Sequence, residues 1–385
     1  MNPNPNEDAR ARDCGFRGGV YDLESYGYDL PEGCIAQSPA VPRDSSRLMV
    51  WSAAGVGGPL SGAVEHRVFS DIAEILEPGD LLVLNDTRVI PARLRGERAG
   101  GGKAEILLLG PCASDSGRWR ALVRPGRRLP EGAEVRVGDR VLTVEAREAD
   151  GVRIVRAGSD REDVLAFLGR CGQTPLPPYI GVSRDARLDK ALRESYQTVF
   201  AEKDGSAAAP TASLHFTREL LERIEARGVE IARTTLHVGL GTFRPVSARD
   251  IREHRIHSER CEIPEEAADA VRRCRLRGGR VVAAGTTVAR TLESAALDGG
   301  RAAPGARDTE LFIFPGFRYR VVDALITNFH LPKSSLLMLV SAFVDHLQGG
   351  GREAEALSAL RGVYALALSE GYRFFSFGDA MFIRK

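Results

Sequence analysis

The stretch RVVAAGTTVARTLESAA, residues 280–296, joins a short apolar run to an amphipathic run through a single glycine. The apolar part is typical of a buried strand, and residues 286–296 have the spacing of a helix. A strand that passes through a glycine into a helix belongs to an α/β fold. In such folds, ligands bind beyond the carboxyl ends of the strands. The stretch therefore predicts both a fold class and the edge where a site lies.

The same alternation continues on both sides of this stretch. The helix pattern TRELLERIEARG (217–228), with Thr217 as its expected N-cap, leads into the strand pattern VEIARTTLHV (229–238). YRVVDALITNF (319–329) precedes another helix pattern, and a final strand is predicted at YRFFSF (372–377). Together these segments predict a three-layer α/β sheet domain with a parallel sheet.

Residues 80–161 have a different rhythm, in which short β-type runs such as LLVL, AEILLLG and RVLTVEA recur between turn signals. This rhythm predicts a small antiparallel β-barrel inserted into the sheet domain. The predicted organisation is a flexible N-terminal extension at 1–26, an α/β domain at 27–79 and 162–385, and a barrel domain at 80–161.

Composition excludes several classes of protein. The 385 residues include 53 Lys and Arg against 52 Asp and Glu, which excludes a wholly basic nucleic-acid binder but permits one basic patch. No apolar run approaches the roughly 20 residues that span a bilayer, and the opening MNPNPNEDARARD lacks the apolar core of a secretory signal. We therefore expect a cytoplasmic protein with no membrane partner. The six scattered cysteines predict neither a disulfide framework nor a metal site.

Polar loops follow the predicted strands. HVGLGTFRP (237–245) lets a ligand approach the backbone closely or forms a tight turn, and it lacks the third glycine of a dinucleotide fingerprint. GTT (285–287) offers a helix N-terminus to an anion, or Thr286 and Thr287 simply cap the helix. NFHLP (328–332) and FGDAMF (377–382) complete this edge.

Histidines are concentrated in these loops. An imidazole has an ordinary pKa of about 6.5 and suits proton transfer, although each histidine is equally well explained as a hydrogen-bonded loop residue. Asp323 lies in an apolar strand pattern, where its charge needs a partner, either structural or a cationic ligand. Ten basic residues against three acidic ones between positions 88 and 128 favour RNA binding by the barrel over an ordinary charged surface.

The chain resembles the S-adenosylmethionine:tRNA ribosyltransferase-isomerase family of queuosine biosynthesis from about residue 28 to 385. The blocks that carry the resemblance, in order, are YDLPEGCIAQSP, NDTRVIPARL, LPPYI, YQTVFAEKDGSAAAPTASLHF, TLHVGLGTFRPV, HSE, PGFRYRVVDALITNFHLPKSSLLMLVSAF and YRFFSFGDAMFI. The family has an α/β domain with an inserted β-barrel, which agrees with the predicted layout.

The resemblance implies a transferase that acts on tRNA carrying 7-aminomethyl-7-deazaguanine at the wobble position. It would move the ribosyl part of S-adenosylmethionine onto the aminomethyl group, isomerise it to epoxyqueuosine, and release adenine and methionine. S-adenosylmethionine is then a consumed co-substrate, with no further cofactor and no metal, and we expect a monomer. The chemistry needs a base for a C5′ proton, a proton donor for adenine, and anchors for the methionine carboxylate and ammonium.

The resemblance marks candidate residues without settling their roles. The candidate catalytic residues are His215, His237, His330 and Glu259. The candidate substrate-binding residues are Thr242, Phe243, Thr286, Thr287, Asp323, Asn328 and Asp379, with the Thr pair 286 and 287 for the carboxylate and an acid among Glu259, Asp323 and Asp379 for the ammonium or sulfonium. The candidate tRNA contacts are Arg88, Arg93, Arg95, Lys103, Arg124 and Arg127.

Three residues depart from the family pattern: Ser213 where glycine is usual, Phe377 where tyrosine is usual, and Arg260 after HSE where an aromatic residue is common. Serine at 213 is expected to strain the backbone if that position needs a glycine conformation. Two other functions remain open at this point. A tRNA methyltransferase would yield S-adenosylhomocysteine, and a non-catalytic RNA-binding module would leave the polar loops unexplained.

Overall fold

The computed structural model describes residues 19–53, 63–112, 115–148, 151–177, 179–180, 186–239 and 246–385. In chain order the strands are β1 (Arg47–Ser52), β2 (Ala63–Val68), β3 (Leu81–Asn85), β4 (Thr87–Val89), β5 (Arg93–Arg98), β6 (Lys103–Cys112), β7 (Asp115–Arg124), β8 (Glu134–Val137), β9 (Arg140–Arg147), β10 (Arg153–Arg156), β11 (Lys203–Ser206), β12 (Glu230–Leu236), β13 (Glu259–Ile263), β14 (Val281–Ala284), β15 (Ala296–Leu297), β16 (Arg301–Ala302), β17 (Gly305–Thr309), β18 (Ala324–Asn328) and β19 (Ala380–Arg384). The α-helices are α1 (Ile72–Ile75), α2 (Arg161–Cys171), α3 (Ala186–Ser195), α4 (Arg218–Ala226), α5 (Glu265–Leu276), α6 (Thr286–Ser294), α7 (Ser335–Leu347) and α8 (Glu353–Ser369).

The large sheet has the strand order β17-β13-β12-β3-β14-β18-β19-β1-β2. Its centre, from β12 to β18, is parallel, whereas β19 runs antiparallel to β18 and parallel to β1. The α/β class is therefore confirmed, with a mixed sheet rather than a purely parallel one. The carboxyl ends of β12, β3, β14 and β18 meet at one edge, together with the amino ends of β19 and β1.

Both faces of this sheet are covered, because side chains of each strand alternate between two cores. In β3, Leu81 and Val83 join the core that α5 to α8 cover, while Leu82 and Leu84 join the core that α1 and α4 cover. The three predicted layers are thus present. Thr217 caps α4 as expected, since its side chain accepts a hydrogen bond from the backbone N–H of Leu220.

The inserted barrel is closed, with the strand order β10-β7-β6-β5-β8-β9. Its bounds differ from the predicted 80–161. The LLVL segment forms β3 of the large sheet, and the barrel begins at Arg93. Helix α2 belongs with the barrel, because Val164, Phe167 and Leu168 pack into the barrel core. A fully buried apolar run gives no sign of which sheet it joins, which is why β3 was misplaced.

The last strand was also predicted in the wrong place. YRFFSF is not a strand, and the strand that follows it is β19. Phe375 has a φ of 74°, which no regular strand accommodates, and Phe374 and Phe377 are buried in two different cores. The aromatic side chains of this segment pack into two cores on either side of a turn. Their spacing in the sequence therefore does not indicate a strand.

The N-terminal extension ends earlier than predicted. Residues Leu23–Tyr26 form a 3-10 helix, and the Tyr26 side chain is fully buried in the core of the sheet domain. The backbone N–H of Leu23 donates to the carbonyl of Arg249. Residues 19–26 are therefore part of the sheet domain, while residues 1–18 lie outside the described residues.

Candidate active site

A cavity of about 550 Å³ opens at the sheet edge where β12, β14 and β18 end, a volume typical of small-molecule sites. Its walls come from four parts of the described chain. These are residues 208–212, the junction of β14 with α6 at 285–287, the segment 327–336 that joins β18 to α7, and the side chains of Tyr179, Tyr196, Val238, Val246, Phe375 and Ser376. The predicted edge of the sheet is thus where a ligand-sized space occurs.

The amino end of α6 forms one wall. Gly285 has φ 108° and ψ 157°, a conformation that only glycine adopts readily, and it turns the chain from β14 into the helix. The first N–H groups of a helix carry partial positive charge and bind anions well. Thr287 also lines the cavity, and its hydroxyl is buried without a hydrogen-bond partner in the described structure. Thr286 and Thr287 therefore lie where an anion would bind.

Two strained residues line the same cavity. In the described ranges, Lys333 and Phe375 are the non-glycine residues with positive φ, at 56° and 74°. Such conformations cost about 1–3 kcal/mol and concentrate at functional sites. The Lys333 backbone is held by its N–H bond to the Tyr26 carbonyl, and its ammonium pairs with Glu24.

His215 lies behind the cavity wall and not in it. It is buried and stacks on Phe69, with ring centroids 4.9 Å apart. Its Nδ1 lies 2.8 Å from the Ser46 hydroxyl, and its Nε2 lies 3.2 Å from the Asn328 amide nitrogen. Burial, reinforced by Arg373 and Arg43, lowers the pKa of His215 to about 3, so the ring is neutral. Its apolar neighbour Phe69 comes from a distant part of the sequence.

His330 is the one candidate histidine that lines the cavity in the described structure. Its Nε2 lies 2.7 Å from the Thr327 hydroxyl, and its backbone N–H donates to the Tyr364 hydroxyl. The Tyr28 hydroxyl donates to its carbonyl, which fixes the backbone from the other side. Burial lowers the pKa of His330 to about 3, so this ring is also neutral.

His237 and Glu259 lie beside the cavity. The His237 Nδ1 bonds the Thr87 hydroxyl at 2.8 Å, and burial lowers its pKa to about 4. The buried Glu259 carboxylate pairs with the Arg290 guanidinium and accepts the N–H of Gly239 at 2.8 Å. Neither side chain lines the cavity. Both are next to its wall, since His237 and Gly239, which Glu259 binds, flank the lining residue Val238.

The carboxylates of two predicted substrate-binding residues bind other parts of the protein and do not line the cavity. Asp323 precedes β18 at the opposite edge of the sheet, where it binds Arg275 at 2.6 Å and the N–H of Val281 at 2.7 Å. Asp379 lies near the site edge, but its carboxylate accepts the backbone N–H groups of Arg47 and Arg373. The expectation that either carboxylate faces the ligand is corrected, because both are taken by structural partners.

Thr242 and Phe243 lie outside the described residues. Val238 and Val246, on either side of that segment, both line the cavity. Sequence reasoning missed Tyr179, Tyr196 and Ser376 as cavity residues. All three fall in blocks that carry the family resemblance, so the signal was present without a role attached to it.

The three departures from the family pattern fit without strain. Ser213 lies in the 3-10 helix Thr211–His215 without a positive φ, and its hydroxyl donates to the Ala284 carbonyl at 3.2 Å. Phe377 is buried edge-to-face against Tyr196, and Arg260 is exposed and pairs with Asp308. The expected strain at Ser213 is therefore absent.

The side chains of the predicted tRNA contacts differ in their exposure and in whether another residue already binds them. Arg124, Arg127 and Lys103 are exposed, and no ion pair joins them to another described residue. Arg95 lies 3.8 Å from Glu105, and Arg88 donates to the Ala201 carbonyl. Arg93 is half-buried with its Nε unpaired. In register, Arg95, Glu105 and Arg124 form one row across the outside of the barrel.

The described ranges show no sign of several other classes of site. They contain no group of three or more His, Cys, Asp or Glu side chains with the geometry of a metal site. Their helices include none that is long and apolar enough to cross a membrane. The five cysteines in these ranges are free thiols.

Comparison with known proteins gives consistent matches. The family model described as queuosine biosynthesis protein matches residues 23–383. A protein of Gloeobacter violaceus named S-adenosylmethionine:tRNA ribosyltransferase-isomerase is 53% identical over 365 residues, which cover 94% of this chain and 95% of that protein. A Heliobacterium modesticaldum protein of the same name is 51% identical, covering 94% and 99%.

One solved structure is also similar. The crystal structure of S-adenosylmethionine tRNA ribosyltransferase from Thermotoga maritima has a TM-score of 0.50 and 36% sequence identity to this chain. The alignment covers 93% of this chain and 99% of that structure. The match therefore includes the sheet domain and the inserted barrel.

Proposed function

Since the chain belongs to the queuosine biosynthesis family of S-adenosylmethionine:tRNA ribosyltransferase-isomerases, we propose that the cavity at the sheet edge binds S-adenosylmethionine. The reaction transfers and isomerises the ribosyl part of this substrate onto 7-aminomethyl-7-deazaguanine in tRNA, with release of adenine and methionine. One observation carries the proposal: a helix N-terminus, a buried amide and a neutral imidazole all line one ligand-sized cavity.

The methionine carboxylate is assigned to the amino end of α6. Its N–H groups and the unpartnered Thr287 hydroxyl are donors that suit a carboxylate. The apolar walls suit the adenosine part, since Tyr179 and Phe375 pack with ring centroids 4.3 Å apart. Removing water from this space strengthens each polar contact made inside it.

His330 is assigned the proton transfers. The positive sulfur acidifies the C5′ hydrogens of the ribose, and a neutral imidazole accepts such a proton as its ring becomes positively charged. Because burial lowers the pKa of His330, the neutral ring is a weaker base than a free imidazole and the charged ring is a stronger acid. The sulfonium must therefore acidify the C5′ hydrogen enough for this base, and the charged ring then passes the proton readily to the departing adenine. One histidine thus supplies both the base and the proton donor.

His215, His237 and Glu259 are assigned positioning roles. His215 holds Asn328, His237 bonds Thr87, and Glu259 holds Gly239. Each contact fixes backbone or side chain next to the cavity. Such support is what catalytic geometry requires, because misplacements of about 1 Å already cost activity.

The barrel is assigned to the tRNA phosphates, and we expect the double variant Arg124→Gln/Arg127→Gln to bind modified tRNA more weakly. Each lost phosphate contact should reduce the slope of log K against log salt by about 1. Fluorescence anisotropy titrations at several salt concentrations measure this slope. Arg120→Gln is the control, because Arg120 already pairs with Glu148 at 3.1 Å. An unchanged slope in the double variant would place the tRNA elsewhere.

The released small molecules distinguish the proposed reaction from its rivals. Purified protein, S-adenosylmethionine and tRNA carrying the aminomethyl-deazaguanine should yield adenine and methionine by mass spectrometry, and unmodified tRNA should yield neither. S-adenosylhomocysteine would instead show methyl transfer. A folded, tRNA-binding protein that releases nothing would be a binding module.

The finer partner assignments also belong to this proposal. We propose a monomer that works in the cytoplasm, where its tRNA substrate occurs, with S-adenosylmethionine as its only small-molecule co-substrate. Analytical ultracentrifugation tests the oligomeric state. Full activity of metal-stripped protein, with S-adenosylmethionine as the only small molecule added, tests whether this co-substrate is sufficient.

A further inference from the structure

Among the described residues, no carboxylate lines the cavity to meet the ammonium group of the methionine part. The lining side chains in the described ranges include no Asp or Glu. Of the three acids expected to face the ammonium, Asp323 and Asp379 bind structural N–H groups and Glu259 pairs with Arg290. A different acceptor must therefore satisfy this group if the substrate lies here.

Asn328 has such an acceptor. Its side chain is 2% exposed and lines the cavity, and its Oδ1 is buried without a hydrogen-bond partner in the described structure. Leaving a buried oxygen unpaired costs about 1–3 kcal/mol. A ligand that donates to this oxygen recovers that cost, so the atom marks a place for a donor.

The orientation of this amide follows from its neighbours. The Asn328 nitrogen lies 3.0 Å from the Phe375 carbonyl, which only accepts hydrogen bonds, so the amide nitrogen must face it. The same nitrogen donates to His215 Nε2, which is therefore the unprotonated ring nitrogen. His215 Nδ1 then carries the proton and donates to the Ser46 hydroxyl. This chain of bonds fixes Oδ1 as the free end of the amide.

The sheet register places Asn328 beside the amino end of α6. Strands β14 and β18 are parallel neighbours with Ala284 opposite Ile326. Gly285 then donates its N–H to the Ile326 carbonyl, so α6 begins next to the end of β18, where Asn328 lies. Because adjacent strands are about 4.8 Å apart, these two places are close enough for the carboxylate and the ammonium of one amino-acid head, which are attached to the same carbon.

We propose that the Asn328 carboxamide oxygen, held in place by His215, accepts a hydrogen bond from the α-ammonium group of S-adenosylmethionine while the amino end of α6 binds the carboxylate. This rests on the proposal that the cavity binds S-adenosylmethionine. His215 is then a positioning residue that acts through Asn328. A neutral acceptor leaves the cavity without a negative charge next to the sulfonium, whose positive charge activates the C5′ hydrogens.

The test compares S-adenosylmethionine with the analogue in which hydrogen replaces the α-amino group. With saturating modified tRNA, kcat/KM of the unaltered enzyme should be about 10- to 100-fold lower for the analogue, the range for losing a hydrogen bond to a charged group. Asn328→Ala should lose a similar factor with S-adenosylmethionine and nothing more with the analogue. His215→Phe, which keeps a ring against Phe69, should show the same pattern.

Tyr179→Phe is the matched control. It removes the 2.5 Å contact between the Tyr179 and Ser376 hydroxyls at the same cavity, so it should change kcat/KM by the same factor for both compounds. Equal losses for both compounds in Asn328→Ala and His215→Phe would overturn the ammonium assignment and leave the reaction intact. If the unaltered enzyme releases no adenine and methionine from S-adenosylmethionine, the proposed function itself fails.

Discussion

Replacing His330 by glutamine is expected to lower kcat by about 100- to 10,000-fold, the usual contribution of a positioned acid–base group. Glutamine keeps a polar side chain that can bond the Thr327 hydroxyl, but it cannot carry a proton. The rate of adenine release measures kcat, and hydrogen exchange at C5′ of bound S-adenosylmethionine in D₂O measures proton removal. Both should fall together, while the affinity for tRNA should stay within about twofold because no phosphate contact is lost.

The pH dependence adds an independent test of this assignment. Burial lowers the pKa of His330 to about 3, so its neutral form should dominate at every pH well above that value, including pH 6.5. The kcat profile should therefore show no loss near pH 6.5, where an ordinary imidazole would gain a proton and stop acting as a base. His66→Gln is the control, because His66 lies on β2, where it bonds Tyr372 and does not line the cavity. This variant should keep the kcat profile of the unaltered enzyme. Turnover of His330→Gln near the unaltered rate would remove His330 from the mechanism.

Replacing Arg290 by methionine is expected to destabilise the protein by about 3–5 kcal/mol, because it removes the buried cation that pairs with the buried Glu259 carboxylate. The two side chains are only 6% and 3% exposed. Arg290 also donates to the Leu311 carbonyl at 3.1 Å, which adds to the loss. Guanidinium unfolding curves measure the change in the free energy of unfolding.

Two further variants show whether the buried charge is responsible. The double variant Arg290→Met/Glu259→Leu removes both charges and should be more stable than Arg290→Met alone. Arg320→Met breaks a pair whose Asp298 side chain is fully exposed, so it should cost less than about 1 kcal/mol. If Arg290→Met costs no more than Arg320→Met, the carboxylate does not depend on this partner.

The sequence was informative wherever a local pattern determines the structure. The glycine in RVVAAGTT marked the turn into α6, and Thr217 marked the start of α4, because both depend only on nearby residues. The Asn328 and His330 positions followed from reading outward along β18. These parts of the candidate site were predictable from one strand and one helix at a time.

Contacts between distant parts of the chain were not predictable in this way. The partner of Asp323 is Arg275, and those of Asp379 are the N–H groups of Arg47 and Arg373. Nothing in the local sequence of either aspartate indicates these partners, so a binding role and a structural role looked alike. His215 presents the same difficulty, because Phe69 and Ser46 reach it from elsewhere in the chain.

The position of β19 has a consequence for how the protein is made. This strand, residues 380–384, is synthesised after every other described strand, yet it lies inside the sheet between β18 and β1. Until it is inserted, β18 presents an open edge, and such edges pair with other chains. The cavity also lacks Phe375 and Ser376 until that moment. The nascent chain must therefore be kept from aggregating until β19 has been added, and the enzyme cannot take up its substrate any earlier.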